Sequence, residues 1–567
     1  MTATRTLCRF CHTHRFRPRK QSVPVLLSAR SHQSTALPHP LQLRTLAVQP
    51  PFRKKSALQR FTAFNATPAT GNTTMPPNRI SRRCSMLLTA AAVLPGNSSP
   101  AQTASADEAT DRELIAAVKA ALQKAVTFMS DTVAVRGGYV YQVSLDLKKR
   151  RGEGDATATE IWVQPPGTPA VGEALLDAFA ATKDPLHLQA AMNAAEALLF
   201  GQLESGGWTD RIDFDPAGKN TGRYRDGRGK AKGRNYSTLD DDKSQSAIRF
   251  LIRLDHLLKF ENTRIHEAVS FALESLLKAQ FANGGFPQGW QQPVEPGTIV
   301  NASFPDYDWK TEGRFKNYWD FETLNDGLTG TVARTLQLAH TTYADNRYRQ
   351  ALAQLGDFLI RAQLPEPQPA WAQQYNHQLQ PIWARRFEPP AVAGFESEDA
   401  IQTLMFIAEN TGDPKYLQPI PAALAWIRRS LLSDGRLARF YELRTNRPLY
   451  FIRESYELTY DDSQLPTHYS FRANTRSEKL QKRLEQLQSG PLTPPPGRSS
   501  DLRSLRRDAA EILQELDSQG RWISDGKGRI IHDVSDRDTA GLWIESAVFS
   551  KRVSRLAEFL QAAENRR

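Results

Sequence analysis

From residue 169 onward, apolar residues recur at helical spacing in blocks separated by polar turns and long loops. Four segments can be laid over one another: TKDPLHLQAAMNAAEALLFGQLESGGW from Thr182, FENTRIHEAVSFALESLLKAQFANGGF from Phe260, YADNRYRQALAQLGDFLIRAQLP from Tyr343 and TGDPKYLQPIPAALAWIRRSLLSDGRL from Thr411. Each has a polar turn, an apolar stretch of helical period and then a loop; in the second, Ala268, Ala272, Leu273, Leu276 and Leu277 form one stripe. Another helix-like stretch precedes each turn, at roughly 169–181, 244–259, 327–341 and 397–410. Helix pairs repeating about every 70 to 80 residues predict an all-α chain of stacked αα-hairpins. The long, chemically varied links between pairs favour closure into an α/α toroid over an open superhelix. In that arrangement the turns, such as Asp184-Pro185 and Asp413-Pro414, share one rim. The long functional loops and the N-termini of the first helices share the other.

Charge divides the chain in two. Residues 1–106 hold fifteen Lys and Arg and no Asp or Glu, whereas residues 107–567 hold 58 basic and 61 acidic residues. The overall +12 and pI of about 9.5 therefore describe a leader, and the argument from basicity to nucleic acid fails. The cysteines, Cys8, Cys11 and Cys84, also lie before residue 107; Cys8 and Cys11 have no second pair with which to build a zinc site. Within the leader, residues 75–106 have the layout of a signal peptide: Arg82-Arg83, the apolar run Met86–Leu94 and Ala104-x-Ala106 ahead of Asp107. Met75 is the natural start on this reading; the alternative is a mitochondrial-type transit peptide made of the whole Arg-rich and acid-poor first hundred residues. The expected product is exported, periplasmic or secreted, and the arginine pair suggests a twin-arginine route. No other apolar run approaches the roughly 20 residues of a membrane span, and a monomer is expected. The domain is read as 107–567, with an insertion near 465–500 that contains Pro494-Pro495-Pro496 and a leucine stripe at Leu480, Leu484 and Leu487. That stripe predicts a short packed helix.

Three loops leading into first helices carry unusual clusters: Asp240-Asp241-Asp242, Asn325-Asp326-Gly327 and the segment Trp383–Pro390. An Asp before a helix ordinarily caps it. Three consecutive carboxylates exceed what a cap uses, and such repulsion calls for a cation; hard oxygen ligands suit Ca2+. The sequence has no HExxH, GxSxG or P-loop. Arg385, Arg386, Arg439 and Arg453 fall on the same predicted rim. The loop 215–236 adds Lys219, Arg223, Arg225, Arg228, Lys230, Lys232 and Arg234 against Asp215 and Asp226. Guanidinium forks beside metal-binding carboxylates suit a polyanion bearing carboxylate groups, although a charge run such as 215–236 can also be a merely solvated face.

STLDDDKS, NGGFPQG, TLNDG, WARRFEPP followed by GFES, and ARFYELRTNRPLYF, in that order, resemble the family-10 pectate lyases over roughly residues 113–463. The resemblance implies a toroid-like fold and calcium-assisted β-elimination of polygalacturonate to 4,5-unsaturated oligogalacturonates. It implies metal-linked Asp240 and Asp326, Arg385 as the base, and Arg439 and Arg453 as ligands of substrate carboxylates. The chain departs from the pattern at Glu454-Ser455-Tyr456 and at Lys243, the alternative base. Two further readings stand beside it. One is a toroidal glycoside hydrolase using carboxylates among Asp240, Asp326 and Glu388. The other is a non-catalytic sugar-binding repeat protein with Trp208, Trp290, Trp309 and Trp319 as stacking platforms, positions that more often belong to a core.

Overall fold

The computed structural model describes residues 100–295, 297–311, 313–494, 501–525 and 541–565, with side chains from Asp111 onward. Cys8, Cys11, Cys84 and the signal-peptide features up to residue 99 lie outside the described residues; residues 100–106 form the start of the first helix. Twelve α-helices are present among the described residues: α1 (Pro100–Phe128), α2 (Thr168–Thr182), α3 (Pro185–Phe200), α4 (Lys243–Leu257), α5 (Thr263–Lys278), α6 (Leu328–Tyr343), α7 (Asn346–Ala362), α8 (Gly394–Thr411), α9 (Ile420–Arg429), α10 (Ser477–Ser489), α11 (Leu502–Gln514) and α12 (Ser546–Glu564).

The predicted pairs are α2/α3, α4/α5, α6/α7 and α8/α9. The second helix of each pair begins at a short polar turn whose side chain accepts a backbone N–H. Asp184 accepts from Leu186 at 2.9 Å, Asn262 from Ile265 at 3.2 Å and Asp345 from Arg347 at 2.8 Å. Asp413 does the same for Lys415 at 3.0 Å, opening the 3-10 turn Pro414–Leu417 that leads into α9. Pro185 follows its cap at the first helical position, where a missing N–H costs nothing.

The first helices pack side by side in the order α12, α2, α4, α6, α8, α10. Small residues permit the approach: a Cβ on Gly172 of α2 would lie 2.5 Å from the Phe250 ring of α4. The apolar stripes meet in one core, with Leu175, Phe250, Leu251, Val332, Leu336, Leu404 and Leu556 essentially inaccessible.

One sequence expectation needs correction. The chain is not all-α, because several long links form short antiparallel strands where they enter the first helices. Glu160–Trp162 pairs with Arg211–Asp213 ahead of α2, and Ser237–Thr238 with Gly289–Trp290 ahead of α4. Ala391–Ala393 pairs with Phe440–Glu442 ahead of α8, and Gln142–Ser144 with Trp543–Glu545 ahead of α12. Strands of two or three residues are too short for the period-2 pattern to register in a sequence. The segment near 465–500, read as an insertion, packs closely onto the helices beside it, as its leucine stripe predicts. Arg472–Asn474 forms a strand with Arg436–Ala438, Phe471 is buried, and α10 packs its buried Leu480, Leu484 and Leu487 against α8 and α9. Arg476 ties it further to Glu398 at 3.0 Å and Asp399 at 2.7 Å. Pro495 and Pro496 lie outside the described residues.

Candidate functional site

The starts of α4 and α6 are built alike. Thr238-Leu239-Asp240-Asp241-Asp242-Lys243 and Thr323-Leu324-Asn325-Asp326-Gly327-Leu328 each form a 3-10 turn and then enter the helix. The second and third turn residues are left-handed in both: Asp241 and Asp326 have φ of 47° and 51°, Asp242 and Gly327 of 64° and 67°. This conformation is costly for residues other than glycine and is characteristic of functional turns. It also decides against capping, since neither α4 nor α6 has a side-chain cap.

Freed from that role, the carboxylates converge. Oxygens of Asp240, Asp241 and Asp326 all lie within 4.8 Å of one another. Asp242 is not part of the group; its carboxylate is gripped by both terminal nitrogens of Arg249, at 2.9 and 2.5 Å. Sequence reasoning paired Asp240 with Asp326 and left Asp241 unassigned. The internal repeat TLDDD/TLNDG was the available signal, because it aligns Asp326 with Asp241 rather than with Asp240.

The cluster is electrostatically strained. Burial, with Asp241 and Asp240 beside it, pushes the Asp326 pKa up to about 8, against the pull of Arg385 and Arg439. Burial and Asp240 likewise raise that of Asp241. For Asp240, burial works in the same direction but is outweighed by Lys243 and Gln288, so its pKa is lowered. Lys243 donates to Asp240 at 2.9 Å and lies 3.5 Å from Asp241; burial disfavours its charge, but the two carboxylates prevail and hold it protonated. Gln288 donates to Asp240 at 2.8 Å and Gln164 to Asp241 at 3.2 Å, which fixes both carboxylates. Three hard, closely spaced oxygen donors, two of them with a raised proton affinity, fit a divalent cation such as Ca2+.

Arginines line the opposite side. Arg385 Nη2 lies 3.8 Å and Arg439 Nη2 3.9 Å from Asp326. Arg385 also donates to Glu388 at 2.6 Å, and Arg439 to Glu396 at 3.1 Å. Burial opposes both charges, but these carboxylates outweigh it and raise the arginine pKa values. Tyr469 lies between them, 4.1 Å below the Arg439 guanidinium and 5.7 Å below that of Arg385, with its hydroxyl donating to Glu388 at 3.1 Å. Glu396 lies in the GFES segment, which by itself assigns it no role, and Tyr469 stands outside every motif; both act through partners distant along the chain.

The remaining candidates fall elsewhere. Arg453 is exposed and donates through Nε to Leu465 O at 2.9 Å and through its backbone N–H to Gln464 O at 2.8 Å, not to the cluster. Arg386 turns away and lies 4.6 Å over Tyr456. Glu388 is buried and accepts from Gln373, Arg385 and Tyr469, so it supports Arg385 and is not an open acid. Trp208 and Trp290 belong to the core and Trp309 packs beside Trp383, whereas Trp319 is 38% exposed.

Residues 202–437 match the model of the pectic acid lyase family. No curated protein sequence matches the chain. Among solved structures, the family 10 polysaccharide lyase from Cellvibrio cellulosa is 21% identical, with 57% of this chain and 97% of that chain covered and a TM-score of 0.40. A mutant of it in complex with trigalacturonic acid is 20% identical, with the same coverages and TM-score. Cellobiose 2-epimerase from Spirochaeta thermophila is 15% identical, covering 81% of this chain and 98% of that chain, also with a TM-score of 0.40.

Proposed function

We propose that this chain, a polysaccharide lyase that carries the pectic acid lyase domain over residues 202–437, cleaves polygalacturonate by calcium-assisted β-elimination. The observation that carries the reading is the convergence of Asp240, Asp241 and Asp326 within 4.8 Å, faced by Arg385 and Arg439.

Elimination from a galacturonate unit removes the hydrogen on C5, next to the carboxylate, as a proton and forms the C4–C5 double bond as the bond from C4 to the glycosidic oxygen breaks; that oxygen keeps the electron pair and takes up a proton from solvent to leave as a hydroxyl. Negative charge builds on the carboxylate as the hydrogen leaves, so catalysis needs a base and fixed positive charge at that group. Asp240, Asp241 and Asp326 would hold Ca2+, which supplies positive charge to the substrate carboxylate and acidifies the C5 hydrogen. Arg439, fixed by Glu396 and stacked on Tyr469, provides a fork for a carboxylate on the same side. Arg385 is the base in this reading. Its side chain is 37% exposed, whereas that of Lys243 is 6% exposed and clamped behind Asp240 and Asp241, which favours Arg385 over Lys243 as the group that meets a substrate hydrogen. Glu388 and Asp326 keep Arg385 protonated while the site is free. Its service as a base requires the bond to Glu388 to break on substrate binding and a cation held by the aspartates to lie close enough to depress its proton affinity.

The test is to incubate the protein with polygalacturonate and follow the ultraviolet absorbance of the unsaturated product, with and without a chelator. Absorbance that chelator abolishes and added calcium restores is expected. Saturated reducing ends without absorbance would transfer the site to hydrolysis.

A further inference from the structure

The basic loop 215–236 and the exposed Trp319 are left over from the catalytic cluster, and they meet. A cavity of about 530 Å³ opens beside Asp240 and is lined by Arg234, Tyr236, Gln288, Gln291 and Trp319. Its volume is that of a small-molecule site, on the order of 300–1,000 Å³. Its floor is fixed. Ser237–Thr238 pairs with Gly289–Trp290, and the Tyr236 ring lies so close to Gly289 that a Cβ there would be 2.4 Å from it. Tyr236 Oη donates to Trp319 O at 3.3 Å, and Gln288, whose side chain holds Asp240, donates its backbone N–H to the same oxygen at 3.0 Å. The wall is fixed as well. Arg223 N–H donates to Arg234 O at 2.9 Å, and a Cβ on Gly229 would fall 2.1 Å from Gly222 O.

Most basic residues of the loop already have work within the fold. Arg223 is bonded to Glu204 and Arg228 to Asp226, Lys230 donates to the Ala217 and Gly218 carbonyls, and Arg225 lies over Phe271. Arg234 differs. Its side chain is 60% exposed and lies 5.8 Å over the Tyr236 ring, and its one ion pair among the described residues is a long 3.8 Å contact with Asp210, which Arg211 already holds at 2.8 Å. A contact of that kind is worth little and is readily exchanged for a better anion.

We infer that this cavity is an additional subsite for the acidic polysaccharide, binding a uronate unit beyond the one at the catalytic cluster, with its carboxylate on Arg234 and its sugar face against Trp319. The guanidinium fork matches a carboxylate, and the indole offers a broad rigid face to the C–H side of a pyranose ring. The neighbouring cavity, reached past Gln291, is lined by Asp320 and Glu295, which would repel a polyanion. The subsite therefore ends at Gln291. The inference rests on the lyase reading, but its test can fail separately.

The variants are Arg234→Gln and Trp319→Ala, with Arg228→Gln as a control that makes the same charge change away from the cavity. Initial rates are measured on polygalacturonate and on short oligogalacturonates, and retardation is measured in gels containing polygalacturonate. For Arg234→Gln the ratio of kcat/KM on the polymer to that on the short substrates should fall roughly tenfold, the value of one charge-assisted contact at a half-exposed site, mainly through KM. Trp319→Ala should lower it in the same way, Arg228→Gln should not, and retardation should follow the ratio. An unchanged ratio in Arg234→Gln, or an equal fall in Arg228→Gln, overturns the subsite in favour of diffuse charge attraction. If the wild-type protein produces no unsaturated product, the lyase reading fails and retardation alone judges the subsite: weaker retardation in Arg234→Gln but not in Arg228→Gln supports it, and equal retardation removes it.

Discussion

Replacing Asp326 by Asn should stabilise the cation-free protein while destroying its cation site. Asp326 has a folded pKa of about 8, against about 3.9 in an unfolded chain. Between those values the folded state keeps a proton that the unfolded state has released, so stability falls as pH rises from about 4 and levels off above about 8. At about 1.4 kcal/mol per pKa unit the penalty is roughly 4 kcal/mol at pH 7. Because repulsion is shared with Asp240 and Asp241, a gain of about 1–4 kcal/mol is expected for Asp326→Asn near pH 8. For a unit as large as Pro95–Arg567, unfolding entropy of about 2.1 cal/mol/K per residue makes this roughly 1–4 °C in Tm. The gain should vanish below about pH 4. Calcium at a hundredfold excess over Kd should add about 2.7 kcal/mol to the wild-type protein and nothing comparable to the variant. Thermal melts in chelator and in calcium, from pH 4 to 9, provide the assay. A lower Tm for Asp326→Asn in chelator at pH 8 would refute the reasoning and make this carboxylate a structural partner of Arg385 and Arg439. An equal calcium shift in both proteins would refute the cation site.

Two other outcomes follow from the same geometry. Arg385→Lys should lose most of kcat with KM little changed, because an ammonium cannot reproduce the placement that Glu388 and Tyr469 give the guanidinium; near-normal turnover, together with a folded but inactive Lys243→Ala, would make Lys243 the base. A chain begun at Asp107 should fold and keep activity, since the residues of α1 that pack into the core among the described side chains, Val118, Ala121, Leu122, Ala125 and Val126, follow that point; an insoluble product beside a soluble full-length chain would show that the leader takes part in the fold.

The helix pairs were legible because each has a stripe long enough to repeat several times and a turn with a capping residue. Observed α4 and α7 begin within a few residues of where the pattern placed them. The strands that aim the loops were not legible: in Ala391–Ala393 three small apolar residues look no different from the helix they precede. Within the site, Asp240, Asp326, Arg385 and Arg439 were visible as local clusters and are brought together. Tyr469 was not, and Glu396 was visible only as a member of GFES with no role, because their function depends on Arg439 stacking on one and bonding the other across 30 and 43 positions of sequence.

The aspartates at the helix starts expose what local pattern can and cannot decide. Asp184, Asp345 and Asp413 precede helical segments in extended conformation, with ψ of 120°, 119° and 112°, and each accepts the N–H two residues on. Asp241 and Asp326 occupy the corresponding approach to α4 and α6 but are left-handed, with ψ of 38° and 34°, and cap nothing. One backbone rotation thus turns the same side chain from satisfying a helix terminus to facing another carboxylate, exchanging a stabilising contact for a repulsive one. What differs in sequence is the following residue. Pro185 and Pro414 are held to a right-handed φ, whereas Asp242 and Gly327 accept a second left-handed position, which Asn, Asp and Gly tolerate better than other residues; Asn346, which continues into a helix, shows that tolerance alone does not impose that turn. The repulsion is therefore written into the turn itself, and a turn that stores like charges beside paired arginines has a chemical use that a cap does not.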